Sequence, residues 1–152
     1  MADITKNIFV SHYHSDAEKI EDMKSLLKSK GFFMRDSSIY EAKSKNNANN
    51  PEYIKSIIRP QIDWAGTVVV LIGNNTADSD WVRWEIESAA RRDKRIIGVY
   101  LQGETNAKIP DALIAYGDAL VKWNSDSIIN AINGNEEWNG PDRNWNTTRV
   151  TC

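Results

Sequence analysis

The sequence predicts an α/β fold built on a mainly parallel sheet, and two observations support this. Along the 152 residues, short apolar runs alternate with segments whose apolar residues recur at helical spacing. The clearest run, Thr67–Ile72, lacks any polar alternation, which is typical of a strand covered on both faces. Because crossover connections are right-handed, few topologies are open, and we predict a flavodoxin-like, five-stranded sheet in the order 2-1-3-4-5 with helices on both faces.

Local sequence signals predict the five strands and the ends of the first two helices. The five strands are expected at residues 7–11, 32–35, 67–72, 96–100 and 119–123. Ser15 or Asp16 can cap the first helix, and Gly31 ends it as a C-terminal cap. Asn50 and Pro51 then open the second helix as a cap followed by a first-turn proline.

The remaining helices are predicted from similar signals. Pro60 should shorten or bend the second helix, because proline lacks the N–H that a helix interior needs. Ser79 or Asp80 can cap the third helix, which continues to about residue 92. A looser segment runs through Pro110, and a last short helix at residues 128–133 can be capped from within residues 125–127.

Composition places the chain among ordinary soluble proteins, with 41% apolar and 26% charged residues. Its 19 basic and 21 acidic residues give a net charge of -2, so we expect neither nucleic acid nor a membrane as a partner. Cys152 is the only cysteine, which excludes a disulfide within one chain and fits a reducing compartment. No apolar run approaches the ~18 residues of a membrane span and no secretory signal is evident, so a cytoplasmic protein is expected.

One domain is expected at residues 1–133, followed by a tail at residues 134–152. The tail is rich in Asn, Gly and Trp and has no period from which a structure can be predicted. Within the domain, the polar stretch at residues 37–50 also lacks periodicity and is interpreted as either a lid or a simple loop.

Polar side chains follow three of the predicted strands. They are Ser11, His12 and Tyr13 after the first, Arg35 and Asp36 after the second, and Asn74 after the third. Because parallel strands end at the same edge of a sheet, we expect these residues to meet there. The pair Arg35 and Asp36 is also open to interpretation as a solvated strand end, which is the commoner role of such residues. His12 and His14 supply at most half a metal site, and no other His or Cys is available to complete it, so no metal is expected.

A glutamate on the third helix joins this edge in the prediction. Trp81 and Glu85 are four residues apart, so they share one helix face just past the carboxyl end of the third strand. A carboxylate bounded by indole is suited to stabilising a cation that forms during a reaction. The same residues also allow a structural interpretation, in which Trp81 and Trp84 serve packing and Glu85 is a surface carboxylate.

The order of these features resembles a TIR domain. Residues 7–13 match its first strand and serine-containing turn, residues 36–50 its variable BB loop, and Trp81 with Glu85 the Trp-x-x-x-Glu pattern of enzymatic members. Over about residues 5–125, the chain is most similar to the TIR-like proteins of the bacterial Thoeris antiphage system. Four stretches support this resemblance, at residues 9–13, 69–73, 81–86 and 94–99.

The resemblance implies an enzyme that breaks the nicotinamide–ribose bond of NAD. Thoeris members convert NAD into a cyclic ADP-ribose isomer or a related ADP-ribosyl signal molecule, which activates a partner effector protein. NAD is then the substrate and no cofactor is implied, and self-association of the chain is expected. Glu85 takes the catalytic role. The implied substrate-binding residues are Ser11, His12, Tyr13, Arg35, Asp36, Asn74 and Trp81.

Three other interpretations are open from the sequence. A non-catalytic TIR module would only self-associate or scaffold partners. A receiver domain shares the strand order but needs acidic residues after the first and third strands, where this chain has residues 11–13 and 73–75 without a carboxylate. A nucleoside deoxyribosyltransferase would also use a glutamate in an α/β cleft.

Overall fold

The computed structural model describes residues 4–36 and 50–141, in which strands and helices alternate. The elements are β1 (Ile4–Ser11), α1 (Lys19–Lys28), β2 (Phe32–Asp36), α2 (Pro51–Trp64), β3 (Thr67–Ile72), α3 (Asp80–Arg91), β4 (Arg95–Tyr100), α4 (Asp111–Tyr116), β5 (Ala119–Val121) and α5 (Ser125–Ile132). Short 3-10 turns at His14–Asp16 and Thr76–Asp78 follow β1 and β3.

The five strands form one sheet in the order β2-β1-β3-β4-β5, and every neighbouring pair is parallel. This confirms the predicted α/β fold and strand order. The register is staggered, because Ile8 of β1 lies opposite both Asp36, the last residue of β2, and Thr67, the first residue of β3. The β2 strand therefore ends three residues short of Ser11, the end of β1.

Two apolar cores cover the two faces of the sheet. On the first face, here called the α1 face, Val10, Val69 and Val99 pack with residues of α1 and α5. On the second, the α3 face, Phe9, Val70 and the residues beside them pack with α2, α3 and α4. Since side chains alternate along a strand, Ser11 points to the same side as Phe9. Ser11 therefore belongs to the α3 face.

The second helix begins as predicted and then continues through its proline. The Asn50 side chain accepts a hydrogen bond from the Tyr53 backbone N–H at 3.2 Å, which confirms the cap. Pro60 is exposed and does not shorten the helix, which ends at Trp64. Ile54, Ile58 and Ile62 are buried on the inner face, and this packing outweighs the hydrogen bond that proline removes.

Other helix boundaries correct the sequence prediction. The first helix begins only at Lys19, and neither Ser15 nor Asp16 caps it, because that stretch forms a 3-10 turn. The cap of α5 is Asn124, whose side chain accepts from the Ser127 N–H at 3.0 Å. The α4 helix was not predicted, since its six residues are too few to show a helical period.

The first part of the predicted tail packs against the edge of the sheet. The Leu120 N–H donates to the Glu137 carbonyl at 2.9 Å, and the Asn139 N–H donates to the Leu120 carbonyl at 2.8 Å. Trp138 lies on the α3-face core beside β5. The tail from residue 142, and the predicted lid except for Asn50, lie outside the described residues. In the described ranges, no helix has the length and apolar character needed to span a bilayer.

Candidate active site at the carboxyl edge of the sheet

Ser11 and Glu85 meet on the α3 face of the sheet. The Ser11 hydroxyl donates to Oε1 of Glu85 at 2.6 Å, and both residues have 0% exposed surface. Ser11 is the last residue of β1 and lies opposite Val70 of β3. A carboxylate from a helix thus reaches the carboxyl end of a central strand, at the point where the strand order reverses.

The turn between β3 and α3 fixes where that carboxylate lies. The buried Thr76 hydroxyl accepts from the Gly73 N–H at 2.9 Å and donates to the Leu71 carbonyl at 3.2 Å. Ser79 then caps α3 by accepting from the Val82 N–H at 3.2 Å, which confirms the predicted cap. Glu85 therefore projects from a helix whose start is held by side-chain hydrogen bonds.

Two tryptophans of α3 pack against the core of the α3 face, close to cationic side chains of α2. Trp81 and Trp84 are both half-buried, and their rings meet edge-on with centroids 5.9 Å apart. Lys55 Nζ and Arg59 Cζ of α2 lie 5.4 and 5.7 Å from the Trp84 ring centroid. These are cation–π distances, so Trp84 packs against the core and also holds two positive charges beside the helix that carries Glu85.

His12 and Tyr13 follow Ser11 directly. The His12 side chain is buried, with Nδ1 3.1 Å from the Val10 carbonyl oxygen. Tyr13 is half-buried and its ring lies 4.4 Å from that of His14. Among residues 4–36 and 50–141, no group of three or more His, Cys, Asp or Glu side chains is arranged to hold a metal ion.

Arg35 and Asp36 are not brought to this site, which corrects the predicted convergence. Arg35 is exposed and lies opposite Asn7 in the register, with Cζ 5.9 Å from the Trp64 ring. Asp36 shares its side of β2 with Phe32 and Met34 and so belongs to the α1 face, opposite to Glu85. The reason is the stagger of β2 relative to β1, which the sequence did not predict.

Asp36 forms an ion pair instead. Lys24 Nζ of α1 lies 2.8 Å from Asp36 Oδ2, and the Asp36 side chain is only 4% exposed. This hydrogen bond raises the pKa of Lys24 above its ordinary value. The sequence did not predict this ion pair, because nothing near Lys24 in the chain indicates a partner on β2.

Asn74 lies on a cavity of about 790 Å³ beside α1. The lining includes Asp16, Lys19, Asn74, Glu104 and Trp123, but neither Ser11 nor Glu85. Partial burial, with a smaller contribution from Glu104, raises the pKa of Asp16. Asn74 is therefore at the carboxyl edge as predicted, but it faces a cavity on the α1 side.

The 2-1-3-4-5 sheet and the Trp-x-x-x-Glu helix beside β1 together define a TIR-like domain. The chain matches the family described as "Thoeris protein ThsB, TIR-like domain" over residues 9–106, more than half of its length. It belongs to that family. A search of curated proteins by sequence finds no match.

Three solved structures are similar to this chain, and one of them shows the shared fold. The 2-deoxyribosyltransferase of Bacillus psychrosaccharolyticus is 15% identical, with a TM-score of 0.57 over 82% of this chain and 90% of that one. The Clostridium botulinum CMP N-glycosidase BcmB is 19% identical, with a TM-score of 0.49 over 84% and 98%. The TIR domains of the activated Roq1 resistosome are 18% identical, with a TM-score of 0.45 over 66% and 60%. At 15% identity, the similarity to the deoxyribosyltransferase shows the fold alone. The similarities to BcmB and to the Roq1 TIR domains support no conclusion.

Proposed function

We propose that this protein is an NAD-cleaving enzyme of antiphage defence, in which Glu85 is the catalytic residue. The observation that supports this most is the carboxylate itself, which is fully buried on α3 and bonded to Ser11 at the end of β1. A module that only scaffolds partners has no need of such a carboxylate at the carboxyl edge. Membership of the Thoeris TIR-like family supports the defence role.

The reaction suits a site with one carboxylate. The bond between the ribose C1′ and the pyridinium nitrogen of NAD breaks, and its electron pair goes to that nitrogen. Nicotinamide therefore leaves as a neutral molecule, and no general acid is needed to protonate it. The ribose becomes oxocarbenium-like, as in glycoside hydrolysis. Glu85 stabilises this developing positive charge and orients the ribose hydroxyls.

Burial of Glu85 has two consequences for the reaction. A charge acts more strongly in surroundings that exclude water, so the carboxylate stabilises the cation more than an exposed one would. Because Glu85 has no exposed surface, the groups that cover it must move before the ribose reaches it. His12 and Tyr13 follow Ser11 in the chain, and Trp81 lies one helical turn before Glu85. We propose that these three residues contact NAD.

The fate of the ribosyl cation sets the product. Attack by water gives ADP-ribose with release of a proton. Attack by a nucleophile of the same ADP-ribose closes a ring and also releases a proton, which gives a cyclic isomer. We propose a cyclic isomer or a related ADP-ribosyl molecule as the signal that activates a partner effector in the cytoplasm. NAD is the substrate in this scheme, and no cofactor takes part.

Incubation of the purified protein with NAD tests the proposal. We expect free nicotinamide and, by mass spectrometry, an ADP-ribosyl product. Parallel incubation with deoxynucleosides tests a nucleoside deoxyribosyltransferase. Absence of nicotinamide at high protein concentration, with or without a lysate of phage-infected cells, would favour a non-catalytic TIR module.

A further inference from the structure

We infer that Ser11 is a positioning residue that holds the carboxylate of Glu85 in its reactive orientation. This inference rests on the proposed function. The sequence assigned Ser11 to substrate binding, but its hydroxyl donates to Glu85 Oε1 at 2.6 Å. A carboxylate only accepts hydrogen bonds, so the serine is the donor. The distance is in the range of strong hydrogen bonds between a hydroxyl and a carboxylate.

The surroundings make this bond effective. On the α3 face, Ser11 follows Phe9 and lies opposite Val70, and Glu85 follows Val82 by one helical turn; all three of these apolar residues are buried. A hydrogen bond is stronger in such surroundings than in water, and its loss is correspondingly costly. The carboxylate therefore cannot turn away from Ser11 without breaking a strong bond in a place where water does not replace it.

Ser11 and Glu85 belong to a strand and a helix, which hold them in place. Ser11 lies at the end of β1, beyond the last residue of β2, and pairs with Val70 of β3. Glu85 lies on α3, whose start is capped by Ser79. The bond from Ser11 to Oε1 restricts the rotation of the carboxylate and so favours one direction of its charge. Orientation of this kind lowers the barrier of the chemical step more than it affects binding of the ground state.

Ser11→Ala tests the inference. This change removes the hydroxyl and adds no bulk. We expect kcat for NAD cleavage to fall about 100-fold, with KM close to that of the wild type. Ser11→Thr keeps a hydroxyl at the same position and should recover most of the lost kcat. Thermal unfolding of each variant shows that the protein is folded.

Ser88→Ala is the matched control. Ser88 is also a fully buried serine and lies on α3 one turn after Glu85, but its hydroxyl accepts from Arg91 at 3.3 Å. This variant should keep kcat near the wild-type value. An unchanged kcat in folded Ser11→Ala, or an equal loss in Ser88→Ala, would overturn the inference while the wild type still cleaves NAD. A wild type that releases no nicotinamide would overturn the proposed function, and the role of Ser11 with it.

Discussion

Two nearly buried carboxylates lie on opposite faces of the same sheet, and their partners differ. On the α3 face, Glu85 accepts from the neutral hydroxyl of Ser11 at 2.6 Å. On the α1 face, Asp36 is paired with the ammonium group of Lys24 at 2.8 Å. The hydroxyl of Ser11 orients a carboxylate through a neutral hydrogen bond, whereas the ammonium group of Lys24 brings a positive charge to one. We therefore expect the bond of Ser11 to serve the orientation of Glu85 and the pair of Lys24 and Asp36 to serve stability.

Position along the chain did not predict which of these two carboxylates lies at the candidate site. Asp36 and Glu85 both follow strands of the sheet, and both were expected at its carboxyl edge. The face to which each side chain points decides between them, since the sheet separates the two.

Glu85→Gln should lower kcat for NAD cleavage by about 1,000-fold or more, because the amide cannot stabilise the ribosyl cation by its charge. The substitution is nearly isosteric, so we expect a thermal unfolding midpoint close to that of the wild type. The matched control is Asp36→Asn, which removes a carboxylate from the α1 face and should retain turnover. Turnover that survives in Glu85→Gln, or that is lost equally in Asp36→Asn, would contradict the contrast.

Trp81→Ala should affect both stability and activity. Its half-buried ring contacts Trp84 edge-on at a centroid distance of 5.9 Å, so we expect a loss of about 2 kcal/mol in the free energy of unfolding. We also expect a lower kcat, because the indole lies one turn before Glu85 on the same helix. Chemical denaturation and the nicotinamide assay measure the two effects. Full activity in a destabilised variant would assign Trp81 to packing alone.

Lys24→Met should affect stability without changing turnover. We expect a loss of about 1 kcal/mol at pH 7, because the nearly buried carboxylate of Asp36 loses its ion pair with Lys24. The loss is small because Lys24 is partly exposed and solvent screens the pair.

The pH dependence of this loss has a definite sign. The hydrogen bond to Asp36 raises the pKa of Lys24 above 10.5, so its stabilisation is complete below that pH and disappears as the pH rises through the raised value. The wild type and Lys24→Met should therefore converge in thermal stability at strongly alkaline pH. A constant difference across this range would contradict the ion pair.

Asp16→Asn should give the smallest effect, a slight gain in stability at pH 7. Burial raises the pKa of Asp16 above 3.8, so its charged form is disfavoured in the folded protein at neutral pH. The resulting penalty is absent below the ordinary value and grows as the pH rises through the raised one. The midpoint difference between variant and wild type, measured from pH 3 to pH 7, should increase with pH. A stability loss at pH 7 would show that the Asp16 charge is favourable.

The sequence by itself determined most of the fold. Thr67–Ile72 has the pattern of a doubly covered strand, and the structure confirms that strand. The caps at Asn50 and Ser79 were predicted correctly because a side chain that bonds the first turn of its own helix is a local feature of the sequence. The Trp-x-x-x-Glu pattern placed Glu85 on the correct helix for the same reason. Such signals depend on residues within one or two turns of each other.

Only the tertiary structure decided which polar residues meet. The stagger of β2 separates Arg35 and Asp36 from Ser11, and it depends on how whole strands pair. The bond between Ser11 and Glu85 joins residues 74 positions apart, and the pair of Lys24 and Asp36 joins α1 to β2. Contacts of this kind are set by packing across the sheet, which no local pattern of residues encodes.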